Sequence, residues 1–421
     1  MRHLLILLIT VLLTSLAWTQ QSVGPVKVIY PTKVDTSPPL RDLAGPVPRW
    51  ESGIAREIPN NPPIDLGQGP QGLDGALQSA EPTRTLGPPT LNFEGIGING
   101  FLPPDTNFDV GLTHIMQMVN VQTAIWDKAG NVVLAPFASN AFWSGFGGSC
   151  EFQNAGDPVV LYDPLAGRWL VSQFADPIGI NAVQCIAIST GENPTGSYFR
   201  YSFPTPGNDY PKMGVMETVY SATVRNFSGG FNMDAYAFDR ARMLVGDSTA
   251  ALLVFNLSAL LPNIDGFLPS DIDGTTPPPT GRDATYMGHN FPNARLAVFE
   301  LTNVNWSVPT GTLTGPTFLP VAPFDIIFPG VPQPAGPNLD DLAGFLMHRL
   351  AYRNFGTYES LVANNAVDVN DFVNHVGIRW YELRDTGGGW TVRQQSTYAP
   401  DSDHRWMASI AMNGNGDIMM G

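Results

Sequence analysis

Three aspartates recur at a fixed spacing along the chain. Asp105, Asp157 and Asp209 are separated by 52 residues and again by 52, and each lies between a turn-rich stretch and an apolar, strand-like one. Carboxylates that meet histidine and arginine side chains can bind a cation or a sugar, and a carboxylate pair can cleave a glycosidic bond. Later stretches of similar character supply those partners. The predicted ligand-binding residues are Asp157, Asp209, His348, Arg349, His404 and Arg405.

A structural role is the alternative for these polar residues. Side chains at equivalent places in a repeat can tie neighbouring sheets together by hydrogen bonds to the backbone. The sequence leaves both roles open.

The segment around Asp105 also suggests a calcium loop. Asp105, Asn107 and Asp109 place oxygen ligands at alternate positions, as calcium sites do. It is not an EF-hand, because Met116 stands where the bidentate Glu belongs and Val110 stands where the Gly belongs. We predict a looser Ca²⁺ site at these three residues, with a turn-capping role for Asp105 as the alternative.

The 52-residue period predicts a repeat architecture. After Asp157 the pattern indicates four short strands, at 159–162, 169–174, 183–189 and 198–203, separated by turns. Four antiparallel strands in about 50 residues make one blade of a β-propeller. In a propeller the first strand of each blade lies nearest the axis, so the residues at the blade starts would converge around one mouth. We predict an all-β propeller over residues 105–421.

The blade count follows from further starts near 287, 348 and 404, which give about six four-stranded blades. The long interval from 209 to 287 predicts an insertion, made of a helix at 240–244 and a Pro-rich loop at 262–279. The sequence ends within a strand-like segment. We expect an incomplete last blade and a truncated sequence; the alternative is that the N-terminal segment supplies the missing strands.

The residues before the repeats differ in composition. Residues 1–17 combine Arg2, an aliphatic run and a Ser-Leu-Ala cleavage site, which predicts a secretory signal peptide. The apolar run is shorter than the roughly 20 residues that span a bilayer. Residues 18–104 are rich in proline, which disfavours regular sheet, so we predict a mostly irregular, extended arm. Alternating apolar residues at 90–101 suggest an added edge strand.

The two cysteines and the charge fix further expectations. Cys150 and Cys185 in an exported protein predict one disulfide. The formal net charge of −15 argues against nucleic-acid binding, which needs a basic face. Gly and Pro are too frequent for helix bundles or coiled coils. We therefore expect a secreted or cell-surface protein without a membrane span.

Several motifs in a fixed order resemble a family of secreted bacterial β-propeller-like repeat proteins to which no activity is assigned. The resemblance covers about residues 90–421. Its motifs are Pro-Pro-Asp-Thr-Asn at 103–107, Gln-Met-Val-Asn at 117–120, Trp-Ser-Gly-Phe-Gly-Gly at 143–148, Asp-Pro-Val-Val-Leu-Tyr-Asp at 157–163 with Arg168-Trp169, Asp-Tyr-Pro-Lys at 209–212 and His-Arg-Trp-Met at 404–407. The resemblance implies a secreted or surface propeller, and a chain that continues for at least one more repeat.

Three functions fit the sequence. The favoured one is a non-catalytic binding or adhesion module for a glycan, a protein or a surface. The alternative is an extracellular carbohydrate-active hydrolase or lyase that uses carboxylates at the propeller mouth, and the third is a structural envelope protein. An enzyme would bring acids together, whereas a binder would show aromatics such as Trp143, Tyr210, Trp306 and Trp406. The sequence contains no nucleophile elbow, His-Glu-x-x-His zinc motif or phosphate loop.

Overall fold

The computed structural model describes residues 20–45, 72–78, 87–97, 99–101, 103–176, 182–290, 294–326, 330–370 and 373–421. The predicted signal peptide at 1–17 lies outside these ranges. The described chain consists mainly of short antiparallel sheets, so the all-β prediction is confirmed.

The N-terminal segment contains short strands where we predicted irregular chain. The elements are β1 (Gln21–Val23), β2 (Lys27–Ile29), β3 (Lys33–Thr36) and the helical turn α1 (Leu40–Leu43). Pro25, Pro31 and Pro38 fall in the connections between these elements, where a missing N–H and a fixed φ cost nothing. These short elements lie within a segment that we predicted to be mostly irregular, and that prediction considered proline density without proline spacing.

Five four-stranded meanders and one hairpin follow. The first two sheets and the helices between them are β4 (Thr106–Val110), β5 (His114–Val119), β6 (Gln122–Asp127), β7 (Val132–Ala138), a 3₁₀ turn (Ser139–Trp143), α2 (Gly148–Phe152), β8 (Val159–Asp163), β9 (Arg168–Ala175), β10 (Val183–Ser189) and β11 (Tyr198–Pro204). The third is β12 (Asn208–Val215), β13 (Val219–Asn226), β14 (Asn232–Asp239), α3 (Arg240–Met243), β15 (Leu252–Asn256) and α4 (Leu257–Leu260).

The remaining elements repeat the same plan. The fourth and fifth sheets and the hairpin are β16 (Leu268–Ile272), β17 (Ala284–Asn290), β18 (Arg295–Asn305), β19 (Thr310–Pro320), β20 (Leu350–Asn354), β21 (Glu359–Asp368), β22 (Val376–Asp385), β23 (Thr391–Tyr398), β24 (Ile410–Met412) and β25 (Ile418–Met420).

The first strands of successive units contact one another in chain order, from β4 through β8, β12, β16 and β20 to β24. β16 and β20 pair directly, in parallel. Each first strand is therefore an inner strand of a propeller-like arrangement, and its blade extends outward from it.

Most of the predicted unit starts lie next to an inner strand, but one prediction was wrong. Met287 lies within β17, the second strand of its sheet, and the inner strand is Leu268–Ile272. That strand falls inside the Pro-rich stretch that we assigned to an insertion. Pro269 is tolerated because it lies at the start of this strand, before the residues Ser270, Asp271 and Ile272 that pair with β20. The predicted helix at 240–244 is present as α3.

The arm encircles the sheets from outside. β1 pairs with β19, β2 with β15 and β3 with β11, so three complete sheets each gain a fifth, outermost strand. In the described part of the arm, no strand pairs with the β24–β25 hairpin. Residues 90–97, 99 and 100 form no strand, but they lie on the first sheet: the Ile96 N–H donates to Gln117 Oε1 at 2.8 Å.

One disulfide and two apolar clusters hold the sheets together. The predicted disulfide between Cys150 and Cys185 is confirmed and ties α2 to β10. A continuous core joins the second to fifth sheets, and a second cluster joins the first sheet to the second. In the described ranges, no helix is both long and apolar enough to cross a membrane.

A buried ion pair fastens the arm to the fifth sheet. Arg379 on β22 donates to Asp74 Oδ1 at 2.5 Å, and both side chains are fully buried. The Thr397 hydroxyl donates to Asp74 Oδ2 at 2.6 Å. Removing one partner of such a pair leaves a buried charge uncompensated.

We predict that Asp74→Ala lowers the free energy of unfolding by about 3–5 kcal/mol. Asp401→Ala is the matched control, because Asp401 also pairs with an arginine, Arg405, but is half exposed; its loss should be small, since exposed ion pairs contribute little to stability. Urea unfolding of the two variants measures both values. Equal losses would show that the arm is not fastened by this pair.

Candidate functional site

Polar side chains connect the first inner strand to the second. Asn107 and Asp109 point from β4 toward β8, where Asn107 Oδ1 accepts the Val160 N–H at 2.6 Å and Asp109 Oδ2 accepts the Tyr162 N–H at 2.7 Å. β8 is the edge strand of its sheet and has no strand paired to its axial side. Its buried N–H groups on that side therefore need other partners. The side chains of one strand thus satisfy the backbone of the next.

The same kind of bond recurs around the axis. Asp157 Oδ2 accepts the Tyr210 N–H at 3.1 Å, which joins the second unit to the third. Asp271 Oδ1 accepts the Val215 N–H at 2.8 Å, which joins the fourth to the third. We call these bonds the inter-sheet braces. They are the hydrogen bonds that the structural alternative anticipated.

Three aspartates meet at the start of the inner strands. Burial raises the pKa of Asp157 to about 8, and the charges of Asp105 and Asp209 add to the increase. Burial also raises the pKa of Asp105 and of Asp209. The residues at the 52-residue period are therefore close enough to perturb one another. With Lys212 they form what we call the mouth cluster.

Lys212 is the cation of this cluster. Its charge lowers the pKa of all three aspartates. The Nζ atom lies 3.8 Å from the centre of the Tyr210 ring, a favourable position for an ammonium group. Sequence analysis did not place Lys212 in the site, because the position 52 residues earlier is Val160 and the period alone cannot find it.

Two residues of the site have left-handed backbones. Asp157 has φ 45° and Tyr210 has φ 50°. Such conformations are uncommon for side chains other than Gly and are costly for a bulky one. They persist where surrounding contacts impose them, and they concentrate at functional sites.

His348 fills the channel next to the mouth cluster. Its Nε2 lies 3.2 Å from the Met213 carbonyl oxygen and its Nδ1 lies 3.5 Å from Asn107 Nδ2. Burial lowers the pKa of His348 to about 3, helped by the Lys212 charge, so the ring is neutral. A neutral ring that donates from Nε2 and accepts at Nδ1 satisfies both partners. His348 thus joins the first, third and fifth units.

Arg349, the next residue along the chain from His348, forms an ion-paired layer beside it. Its guanidinium donates to Asp271 and, at 2.8 Å, to Asp273 Oδ1. Its charge also opposes the burial that raises the pKa of Asp109. The structure places His348 and Arg349 together in the channel, where their hydrogen-bonding groups contact the protein itself.

His404 and Arg405 lie elsewhere. His404 Nδ1 accepts the Val376 N–H at 3.3 Å, and Arg405 pairs with Asp401 at 2.6 Å, both at the edge of the fifth sheet. No hydrogen bond or ion pair of the described residues connects them to the mouth cluster. Their sequence position before β24 suggested convergence, but the connection from β23 passes over the fifth blade.

The predicted calcium ligands are engaged otherwise. Asn107 and Asp109 use an oxygen in the inter-sheet braces, and the Asp105 carboxylate accepts from Asn120 Nδ2 at 3.2 Å. Across the described part of the chain, no group of three or more His, Cys, Asp or Glu side chains is arranged to hold a metal ion. The Ca²⁺ site stays a prediction.

Two cavities lie away from the channel. One, of about 220 Å³, is lined by the arm around Asp74 and by the fourth-to-fifth connection around Phe324. The other, of about 110 Å³, lies under β2 beside Tyr236. What distinguishes the mouth cluster is its converging charges and its two left-handed residues, not a cavity.

Comparison with known proteins gives little beyond shape. No family model and no curated protein matches the chain. A neuraminidase-like protein of A/flat-faced bat/Peru/033/2010 (H18N11) has 10% identity and TM-score 0.36, over 68% of this chain and 72% of that one. A thermostable family-43 glycoside hydrolase has 11% identity and TM-score 0.33, over 72% and 96%. The fission yeast SREBP–SCAP binding domains have 11% identity and TM-score 0.36, over 81% and 97%. Likeness at this level identifies no activity.

We predict that Asp157 makes stability fall with rising pH. Its folded pKa, about 8, lies above the usual aspartate value of 3.8, so its stabilising contribution is complete below about pH 4 and is lost as pH rises through 8. One such group changes the free energy of unfolding by at most about 1.4 kcal/mol per pH unit. Asp157→Asn should flatten this slope between pH 5 and 9 in urea unfolding. An unchanged slope would contradict the assignment.

Proposed function

We propose that the mouth cluster performs acid–base chemistry on an extracellular glycan, as a hydrolase or a lyase. The observation that carries the proposal is the convergence of three aspartates of which one, Asp157, has a pKa of about 8. At neutral pH Asp157 holds a proton, which a leaving glycosidic oxygen needs. Strongly perturbed acids are a mark of functional sites.

Roles for the other carboxylates follow from their surroundings. Asp209 lies 3.7 Å from Arg225 Nη1, whose charge opposes the effect of burial on its pKa. Asp209 is therefore the better candidate for the ionised carboxylate that acts as base or nucleophile. Two carboxyl groups whose environments separate their pKa values are the usual arrangement for glycosidic cleavage.

A buried amide beside Asp105 adds support. Asn120 Nδ2 donates to Asp105 Oδ2 and to the Pro103 carbonyl, whereas Asn120 Oδ1 has no hydrogen-bond partner within the described residues. A buried acceptor without a partner costs free energy. A ligand hydroxyl would satisfy it.

Non-catalytic binding is the second candidate. Asp157 and Asn107 each use one oxygen to brace the inner strands, which favours a rigid surface without turnover. The aromatics expected of a sugar binder give less support, because Trp143 is fully buried and Tyr210 lies beneath Lys212. This candidate therefore comes second.

The architecture and location belong to the same proposal. We infer a propeller of six blades, with β24–β25 as part of the sixth, and a secreted or cell-surface protein like the family that the motifs resemble. The disulfide and the arm that wraps the sheets suit an oxidising exterior. Val160 on β8 is buried against the first sheet. Phe108 is the equivalent residue of β4, 52 positions earlier, and is 61% exposed. The face of the first sheet that bears Phe108 is therefore left uncovered there.

The test is turnover of polysaccharides by the full chain produced with its disulfide. Neutral, uronic-acid and amino-sugar polymers are incubated with the wild type and with Asp157→Asn. Loss of the proton donor should lower kcat by about 100-fold or more. Release of reducing ends reports hydrolysis, and ultraviolet absorbance of an unsaturated product reports lyase action.

Asp127→Asn is the matched control, because Asp127 caps an exposed turn far from the channel; its kcat should equal that of the wild type. Glycan-array binding without turnover would select the second candidate. Absence of both turnover and binding across the panel would refute a glycan function.

A further inference from the structure

A β-bulge determines which side chains face the mouth. Asp209 pairs with Arg225 and Lys212 pairs with Thr223, so two residues of β12, Tyr210 and Pro211, oppose the single residue Val224 of β13. In a regular strand, residues three apart point to opposite faces. The extra residue at Tyr210–Pro211 cancels this alternation. Because Arg225 and Thr223 share a face of β13, Asp209 and Lys212 share one face of β12.

Tyr210 links the bulge to the buried acid. Its backbone N–H, turned by the left-handed conformation, donates to Asp157 at 3.1 Å, and its ring lies 3.8 Å from Lys212 Nζ. The ring also packs on Phe345 with centroids 5.4 Å apart. One residue therefore holds both the carboxyl of the second unit and the ammonium group of the third.

We propose that Lys212 is the positioning residue of the mouth cluster: its ammonium group, held by the bulge and the Tyr210 ring, stabilises the charged form of the neighbouring carboxylates. The inference deepens the proposed function and rests on it for its catalytic meaning. No bond forms or breaks at Lys212.

The charged groups around Lys212 come from four units. Asp105 precedes β4, Asp157 precedes β8, and His348 precedes β20. Asp209 lies on β12 itself. Behind Asp209, Arg225 pairs with Asp265 at 2.9 Å and with Asp209 at 3.7 Å, and its charge lowers the pKa of both acids. Lys212 is then the one cation whose charge acts on Asp105, Asp157 and Asp209 together.

The test measures the aspartate carboxyl titrations by carbon NMR in the full chain. In Lys212→Met the midpoint of Asp157 should rise by about one pH unit, because a positive charge that lowers its pKa is lost. Lys212→Arg keeps the charge and should restore the wild-type midpoint. Lys128→Met, on an exposed turn, is the control for net charge and should leave it unchanged.

Activity gives the second readout. If the mouth acts on a glycan, the basic limb of the pH–rate profile in Lys212→Met should move up with the Asp157 midpoint, and Lys212→Arg should reverse the shift. An unchanged midpoint in Lys212→Met would overturn the inference. A shifted midpoint with no turnover by any variant, wild type included, would refute the catalytic function and leave the role of Lys212 standing. If Lys212→Met does not fold, Lys212→Gln makes the same test.

Discussion

The structure depends on how the backbone N–H groups on the axial edges of its inner strands find hydrogen-bond partners. Apart from β16 and β20, which pair with each other, each inner strand pairs with its own sheet on one side and faces the channel on the other. Asn107 and Asp109 solve this for β8, and Asp157 solves it for β12, because each accepts a backbone N–H of the next unit. Buried backbone groups left without partners would cost more than the sheets gain. The braces therefore set the distance between sheets, and the apolar clusters fill the space that the braces define.

This solution concentrates acidic groups at one place. A brace needs an acceptor with two lone pairs on a short side chain, and Asp or Asn meets that need at the start of a strand. Repetition of the unit then repeats the acid, and a ring gathers the repeats. The raised pKa of Asp157 follows from the same geometry, since the carboxyl is buried beside two others. In Asp157 the structural and the candidate chemical role thus belong to one residue, and the bulge at Tyr210–Pro211 is where the site departs from the repeat.

The sequence predicted the features that follow from the 52-residue period. The spacing of Asp105, Asp157 and Asp209 was sufficient to predict sheets in series and the meeting of these residues. The period fails where a unit departs from it. We did not predict β16, because Pro262 and Pro269 suggested a loop. We did not predict β1–β3, because proline content was considered without proline position. Lys212 has no periodic counterpart, although Pro211 within a strand is a signal for a bulge. His404 and Arg405 show the opposite error, since a blade-start motif does not fix how far its connection lies from the axis.

The layer beneath the mouth limits what the site can do. His348 and Arg349 occupy the channel with side chains bonded to Met213, Asn107, Asp271 and Asp273. A neutral His348 adds no charge near Asp157, and the Arg349 charge is matched by two acids. The cations that act on the mouth carboxylates are therefore Lys212, whose charge lowers the pKa of all three, and Arg225, whose charge lowers that of Asp209. The site thus combines one carboxyl whose pKa is about 8 with two carboxyls whose charged form is favoured by nearby cations.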